Sequence, residues 1–232
     1  MILASTAPVS AQSVNVDFGQ NSGLTERVIQ MIAMLTVLSL APSILVMMTS
    51  FTRIIVVLSL LRTALGTATA PPNAVIVSLA LFLTAFVMGP ALQTAYDTGI
   101  KPLIANEITT EQAFERSTIP LRAFMEKNVR EKDLKLFIDM AKLPAPTTPD
   151  DLSLRILVPA FMISELKRAF EIGFLLFLPF LIIDLVVASV LMSMGMMMLP
   201  PVVVSLPFKL IFFVLVDGWS LVAGSLIQSY GT

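Results

Sequence analysis

An all-α integral membrane protein is the fold class this sequence predicts, and three observations predict it. The chain is 56% hydrophobic and 13% charged, with a mean hydropathy of +0.88, where soluble domains carry about 25% charged residues. Apolar runs recur that are long enough to cross a bilayer, for which about 20 helical residues suffice. The charges that exist are gathered, 23 of the 31 lying between Asp97 and Glu171. The pattern reads as about four kinked hydrophobic helical segments forming hairpins, plus a small helical soluble domain.

The same composition removes whole classes of chemistry. There is no Cys and no His, so thiol nucleophiles, disulfides, Cys/His metal sites and imidazole acid–base catalysis are out. A net charge of −1 with no basic tail gives no case for nucleic-acid binding. No paired carboxylates stand out, so no enzyme, cofactor or metal site is expected.

Residues 1–25 are small and polar, and Val9-Ser10-Ala11 is similar to the small-residue end of a secretory signal. A positive leader and an apolar stretch before it are missing. Two readings stand: a flexible N-terminus, or the remnant of a cleaved signal that would leave this end outside the cytoplasm.

Residues 26–96 hold the first two hydrophobic segments. The run from Val28 to Leu61 is too long for one upright span, and Pro42-Ser43 and Arg53 interrupt it. A span over Val28–Met48 is expected, then a helical extension to Arg62, a turn over Gly66–Pro72, and a second span over Asn73–Thr94 with Gly89-Pro90 near its end. Arg53 and Arg62 then fall between spans, which the positive-inside bias places in the cytoplasm.

Residues 97–158 meet water. Glu111–Ala141 reads as helix, with Phe114, Phe124, Phe137 and Ile138 as apolar faces. So small a domain holds little core alone. Phe124 and Phe137 therefore pack inside it or against neighbouring copies, and the sequence leaves both open. Leu143–Asp151 is a linker by its three prolines.

Residues 159–232 hold the last two hydrophobic segments, about Ile172–Met194 and Val202–Ile227. Glu165, Lys167, Arg168 and Glu171 precede the third at helical pair spacings. Asp184 lies near its middle, and a carboxylate at that depth costs several kcal/mol unless it faces a partner or water. Lys209 and Asp217 lie in the fourth. They are candidate partners for Asp184 and Arg53, within the chain or across subunits. Pro42, Pro90, Pro179 and Pro207 are breaks or kinks that neighbouring helices must compensate.

Between these two segments runs Met192–Pro201, with five methionines inside seven residues, Gly195 among them, and Pro200-Pro201 behind. Glycine and paired prolines make this a loop. Methionine is unbranched and polarizable, so the cluster is an apolar surface that reshapes around varied partners. The loop carries no charge to anchor it in the cytoplasm. On composition alone it is either a plain Met-rich turn or a soft seal on a conduit.

Two long signatures identify a family resemblance. Thr49-Ser50-Phe51-Thr52-Arg53-Ile54-Ile55-Val56-Val57-Leu58-Ser59, followed by Leu65-Gly66-Thr67 and Pro71-Pro72-Asn73, resembles the first signature of the FliP family. These are the flagellar members of the type III secretion export-gate proteins. The second, Pro159 to Phe170, continues through Ile183-Asp184 to Met196-Met197-Met198-Leu199-Pro200-Pro201, and the tail Leu206-Pro207-Phe208-Lys209 and Val216-Asp217-Gly218-Trp219 also matches.

The resemblance implies a pore-forming core subunit: a ring of five copies joined by FliQ and FliR, then by FlhB and FlhA. Unfolded rod, hook and filament proteins pass through it in the bacterial inner membrane, at the flagellar basal body, with the gate raised toward the periplasm. It implies that Met196, Met197 and Met198, flexed by Gly195, form a gasket closing the pore. Arg53, Glu165, Lys167, Arg168, Asp184, Lys209 and Asp217 are then intersubunit or buried charges that set ring register. A virulence-injectisome counterpart of the gate is the nearest alternative. A proton-coupled secondary transporter would explain Asp184 and Asp217, but no repeated half is visible.

Overall fold

The computed structural model describes residues 46–67, 69–141, 152–196 and 198–231, with scattered helical positions between 28 and 43. The chain divides into two compact units, Met1–Pro42 and Ser43–Thr232. In the first, the described positions between 28 and 39 are helical and exposed. The expected N-terminal segment 1–25, part of the first expected span and the linker Leu143–Asp151 lie outside the described residues.

Among the described residues of the second unit, regular structure is helical throughout. Helix α1 (Phe51–Ala64) is followed by the expected turn, and α2 (Asn73–Ala95) continues through a π-helical turn (Tyr96–Ile100) into the short α3 (Lys101–Ile104). A capping box, Thr109 with Gln112, starts α4 (Thr110–Asn128). Then come α5 (Glu131–Ala141), α6 (Leu154–Ser193), α7 (Pro201–Leu215) and α8 (Gly218–Gln228).

By length and composition, Asn73–Ile104 and Leu154–Ser193 each suffice to cross a membrane, and α7 with α8 suffices only as a pair bent by 63°, the geometry of a broken span or a re-entrant loop. At 40 residues, α6 is about 60 Å long, roughly twice the hydrocarbon core of a bilayer. One part of it must therefore project beyond the lipid.

Three local expectations are revised. The single helix expected over Glu111–Ala141 is two helices. Asn128 turns its side-chain amide back to the Phe124 carbonyl oxygen at 2.9 Å, Val129 is extended, and the Arg130 N–H donates to Ser164 Oγ at 3.0 Å. A side chain competing for the backbone, and an outside acceptor for the freed N–H, stop the helix there. The prolines 90, 159, 179 and 207 sit inside helices. A 63° bend falls at Val216–Asp217, where Asp217 adopts φ +49°, and Pro42 lies outside the described residues. Arg53 belongs to α1 with no exposed surface, so it is not a connecting-segment cation of the kind the positive-inside bias reads.

Helix α1 is the centre of the packing. Ile54, Val57, Leu58 and Leu61 are buried against Ala169 and Phe180 of α6, Phe213 of α7, and Val222 and Leu226 of α8. Its contacts with α6 advance in step. Thr52 reaches Met162, Arg53 reaches Glu165, and Leu60 lies against Gly173, so the two helices run parallel. A Cβ on Gly173 would stand 2.3 Å from Leu60 Cδ1; glycine is what permits this approach. A second cluster joins Met125 to Leu157 and Phe161, with Phe124 packed on it. The helices of the charged segment thus share the first half of α6 as their core.

Candidate functional site

Two polar clasps hold α1 at its two ends. At the first, Arg53 donates from Nε to Glu165 Oε2 at 2.9 Å and from Nη2 to Glu165 Oε1, a bidentate pair with both side chains essentially unexposed. A planar guanidinium matches a carboxylate in this way, which is why Arg is favoured where such a pair is buried. Arg53 Nη1 also donates to the Ser229 carbonyl oxygen (3.2 Å) and Oγ (2.9 Å). The Tyr230 hydroxyl donates to Glu165 Oε2, and its ring lies 3.8 Å from Arg53 Cζ. Burial, and then the Glu165 carboxylate, push the Tyr230 phenol well above its ordinary range, so it stays a proton donor.

At the other end, Lys209 Nζ donates to Asp184 Oδ2 at 2.7 Å and to the Ala64 carbonyl oxygen at 3.1 Å. Ser205 Oγ donates to Asp184 Oδ1 at 2.5 Å. Ala64 ends α1, so the ammonium satisfies one of the carbonyls every helix leaves over at its C-terminus. Asp184 is 27% exposed at its side chain, the wetter of the two acids.

These placements answer which charges the fold brings together. Arg53 with Glu165, and Asp184 with Lys209, close within one chain. Lys167 pairs with Glu171 at 3.2 Å on the surface. Arg168 is half-buried and Asp217 exposed, and neither makes a salt bridge among the described residues. Asp217 precedes α8 without a side-chain cap.

Phe124 packs edge-on to Phe161 at 6.0 Å and stacks on Tyr230 at 5.7 Å, filling the chain's own interior. Phe137 is half-buried and lines a groove with Met140, Ser153, Arg155 and Ile156.

The methionine loop is fixed at its start by backbone hydrogen bonds, and the Leu199 N–H donates to the Met196 carbonyl oxygen at 3.4 Å within it. The Met196 N–H reaches back to the Leu191 carbonyl oxygen at 3.0 Å and that of Gly195 to Met192 at 3.1 Å, with Gly195 at φ +75°. This is the glycine-closed end of a helix, so Gly195 terminates α6, and a Cβ there would meet nothing within 4 Å. Pro201 opens α7 at a position where its missing N–H costs nothing. Between them Met196 is 44% and Met198 98% exposed; Met197 lies outside the described residues.

Sequence reasoning missed Ser229 and Tyr230, and a third cluster in the charged segment. There Ser164 Oγ donates to Asp133 Oδ2 at 2.6 Å, and Arg130 makes two bonds to the same carboxylate at 2.8 and 3.0 Å. Burial raises the Asp133 pKa, but the Arg130 and Ser164 hydrogen bonds and the charges of Arg130 and Lys132 outweigh it and hold the group below its usual 3.8. The Arg130–Asp133 spacing of three was the available signal.

The comparisons with known proteins agree with one another. The FliP family model matches residues 34–226. A flagellar biosynthetic protein FliP of Caulobacter vibrioides is 61% identical over 224 residues, covering 97% of this chain and 84% of that protein. The Bacillus subtilis protein of the same name is 54% identical over 87% of this chain and 91% of its own length. That of Aquifex aeolicus is 48% identical over 99% and 97%. With the match covering Arg53, Glu165, Asp184, Lys209 and the methionine loop, the chain belongs to the FliP family, whose relatives here are flagellar biosynthetic proteins.

Proposed function

We propose that this chain is a pore-lining subunit of the flagellar type III protein export gate, and that its methionine loop is the seal of the pore. The observation that carries this reading is the loop itself: seven uncharged residues between Ser193, where α6 closes, and Pro201, which opens α7, with Met198 almost wholly exposed. An apolar side chain left this exposed is available to something outside the chain. Repeated around a ring, of five copies by the family resemblance, Met196, Met197 and Met198 make a narrow apolar constriction that resists wetting by ions. Thioether side chains rotate cheaply, so the constriction closes around polypeptides of differing sequence.

FliQ and FliR complete the ring in this reading, FlhB and FlhA join it, and the segment 97–158 faces the periplasm. The relatives' flagellar names favour this over the injectisome counterpart. The buried pairs are occupied within one chain and Lys167 already pairs with Glu171 on the surface, so of the candidate charges Arg168 and Asp217 are the ones this reading offers to neighbouring subunits.

Replacing Met196, Met197 and Met198 together with Ala tests the seal. Ion leakage across the membrane with secretion of hook subunits retained is the expected result. An assembled ring with no leak and normal secretion would return the loop to a plain apolar turn.

A further inference from the structure

Arg53 offers five N–H donors, and Glu165 takes only part of them. The rest of the first clasp comes from a segment 176 positions further along the chain, reached only after α7 and α8. The Ser229 carbonyl oxygen and hydroxyl accept from Nη1. The Tyr230 hydroxyl donates to Glu165 Oε2, the oxygen that Arg53 Nε also bonds, and its ring lies against the guanidinium, with Phe124 stacked behind.

Opposite them sits Ser50. It has no exposed surface, its carbonyl oxygen lies 3.4 Å from the Tyr230 hydroxyl, and its Oγ has no partner among the described residues. Without residues 229 and 230, two donors of a buried guanidinium and one carboxylate lone pair would lack partners. The α1–α6 joint would then be costly to keep closed. The second clasp, at the other end of α1, uses none of these atoms.

We propose that Ser229–Tyr230 is a latch, with Tyr230 the positioning residue that holds Glu165 on Arg53, so that the leading end of α1 is locked to α6 only while the segment after α8 is docked. The latch makes closure of the first clasp depend on the last hairpin of the chain. It stands whether or not the methionine loop seals a pore.

The absence of cysteine permits single thiol reporters in the full-length chain. Ser50→Cys places one beside the latch, and Ala64→Cys places one at the far end of α1, 2% exposed. The readout is the rate of modification by N-ethylmaleimide in membranes. Both thiols should be protected when Tyr230 is present. Tyr230→Phe keeps the ring and its stacking but removes the hydroxyl, and should speed reaction at position 50 about tenfold. Tyr230→Ala should speed it about a hundredfold. Reaction at position 64 should stay within about twofold in the Phe variant, because opening is local. The proposal is overturned if Tyr230→Phe leaves position 50 protected. It is equally overturned if positions 50 and 64 become reactive together, which would make Tyr230 one more piece of a single cooperative core.

Discussion

Arg53 and Met198 mark the two extremes of this molecule. Arg53 is a charged side chain with no exposed surface, its donors taken by Glu165 and Ser229 and its face covered by Tyr230. Met198 is an apolar side chain exposed over 98% of its surface. Each is placed where its own hydropathy would not put it. The charge is inside because the fold supplies every partner it needs. The methionine is outside because the described residues of the fold leave it almost uncovered. Stability is therefore concentrated in the clasps, and the loop is free to be selected for something other than stability.

That contrast can be broken most severely at Glu165. Glu165→Ala leaves a buried guanidinium unpaired, for which losses of about 3–5 kcal/mol are usual, a large share of a typical net stability of about 5–15 kcal/mol. The folded fraction on size exclusion in detergent should collapse. Adding Arg53→Met and Glu165→Leu together should restore much of it, since an apolar pair carries no unmet charge. A double variant as poor as Glu165→Ala would mean the charge itself, not its pairing, is required.

Asp184→Asn comes next. Its clasp is partly wet, so the loss should be about 1–3 kcal/mol, and ring assembly should suffer more than with the surface change Glu111→Gln. Equal tolerance of the two would remove Asp184 from the clasp's working parts.

Asp133 sharpens the comparison through pH. Its folded pKa lies below the unfolded one, so its contribution is present above the unfolded value and disappears as pH falls through the folded value. Amide exchange in α5 should accelerate below about pH 4. Asp133→Asn should reproduce about 1–2 kcal/mol of that loosening at neutral pH. Unaltered exchange in the variant at pH 7 would count against it. The smallest effect belongs to the methionines: the triple Ala change should alter folded stability by no more than about 0.5 kcal/mol, while under the proposed function it makes the membrane leak ions.

How much of this was legible in the sequence follows from what each feature depends on. Apolar runs and a confined block of charge give the all-helical membrane class, because length and hydropathy are local quantities. The methionine loop was legible for the same reason, bounded by Gly195 and Pro200-Pro201. The charges at Arg53, Glu165, Asp184 and Lys209 stood out by type. Which one met which did not, since Arg53 and Glu165 are 112 positions apart and the helical spacings around Glu165 favoured Arg168. Tyr230 gave no signal at all: one tyrosine after an apolar helix looks like any interfacial aromatic. The stop at Val129 depended on Ser164 from another helix, and the bend at Asp217 on a backbone conformation that residue type alone does not specify.

The unbroken length of α6 has one more consequence. Glu165, Asp184 and the loop after Ser193 ride on a single rod, so their separation and their angular phase are one quantity, not two. Inserting a single residue between Glu165 and Asp184 would advance everything beyond it by about 1.5 Å and turn it by about 100°. One clasp or the other would then face the wrong way. The helix is a gauge block, and the height of the methionines above the first clasp is cut into its residue count.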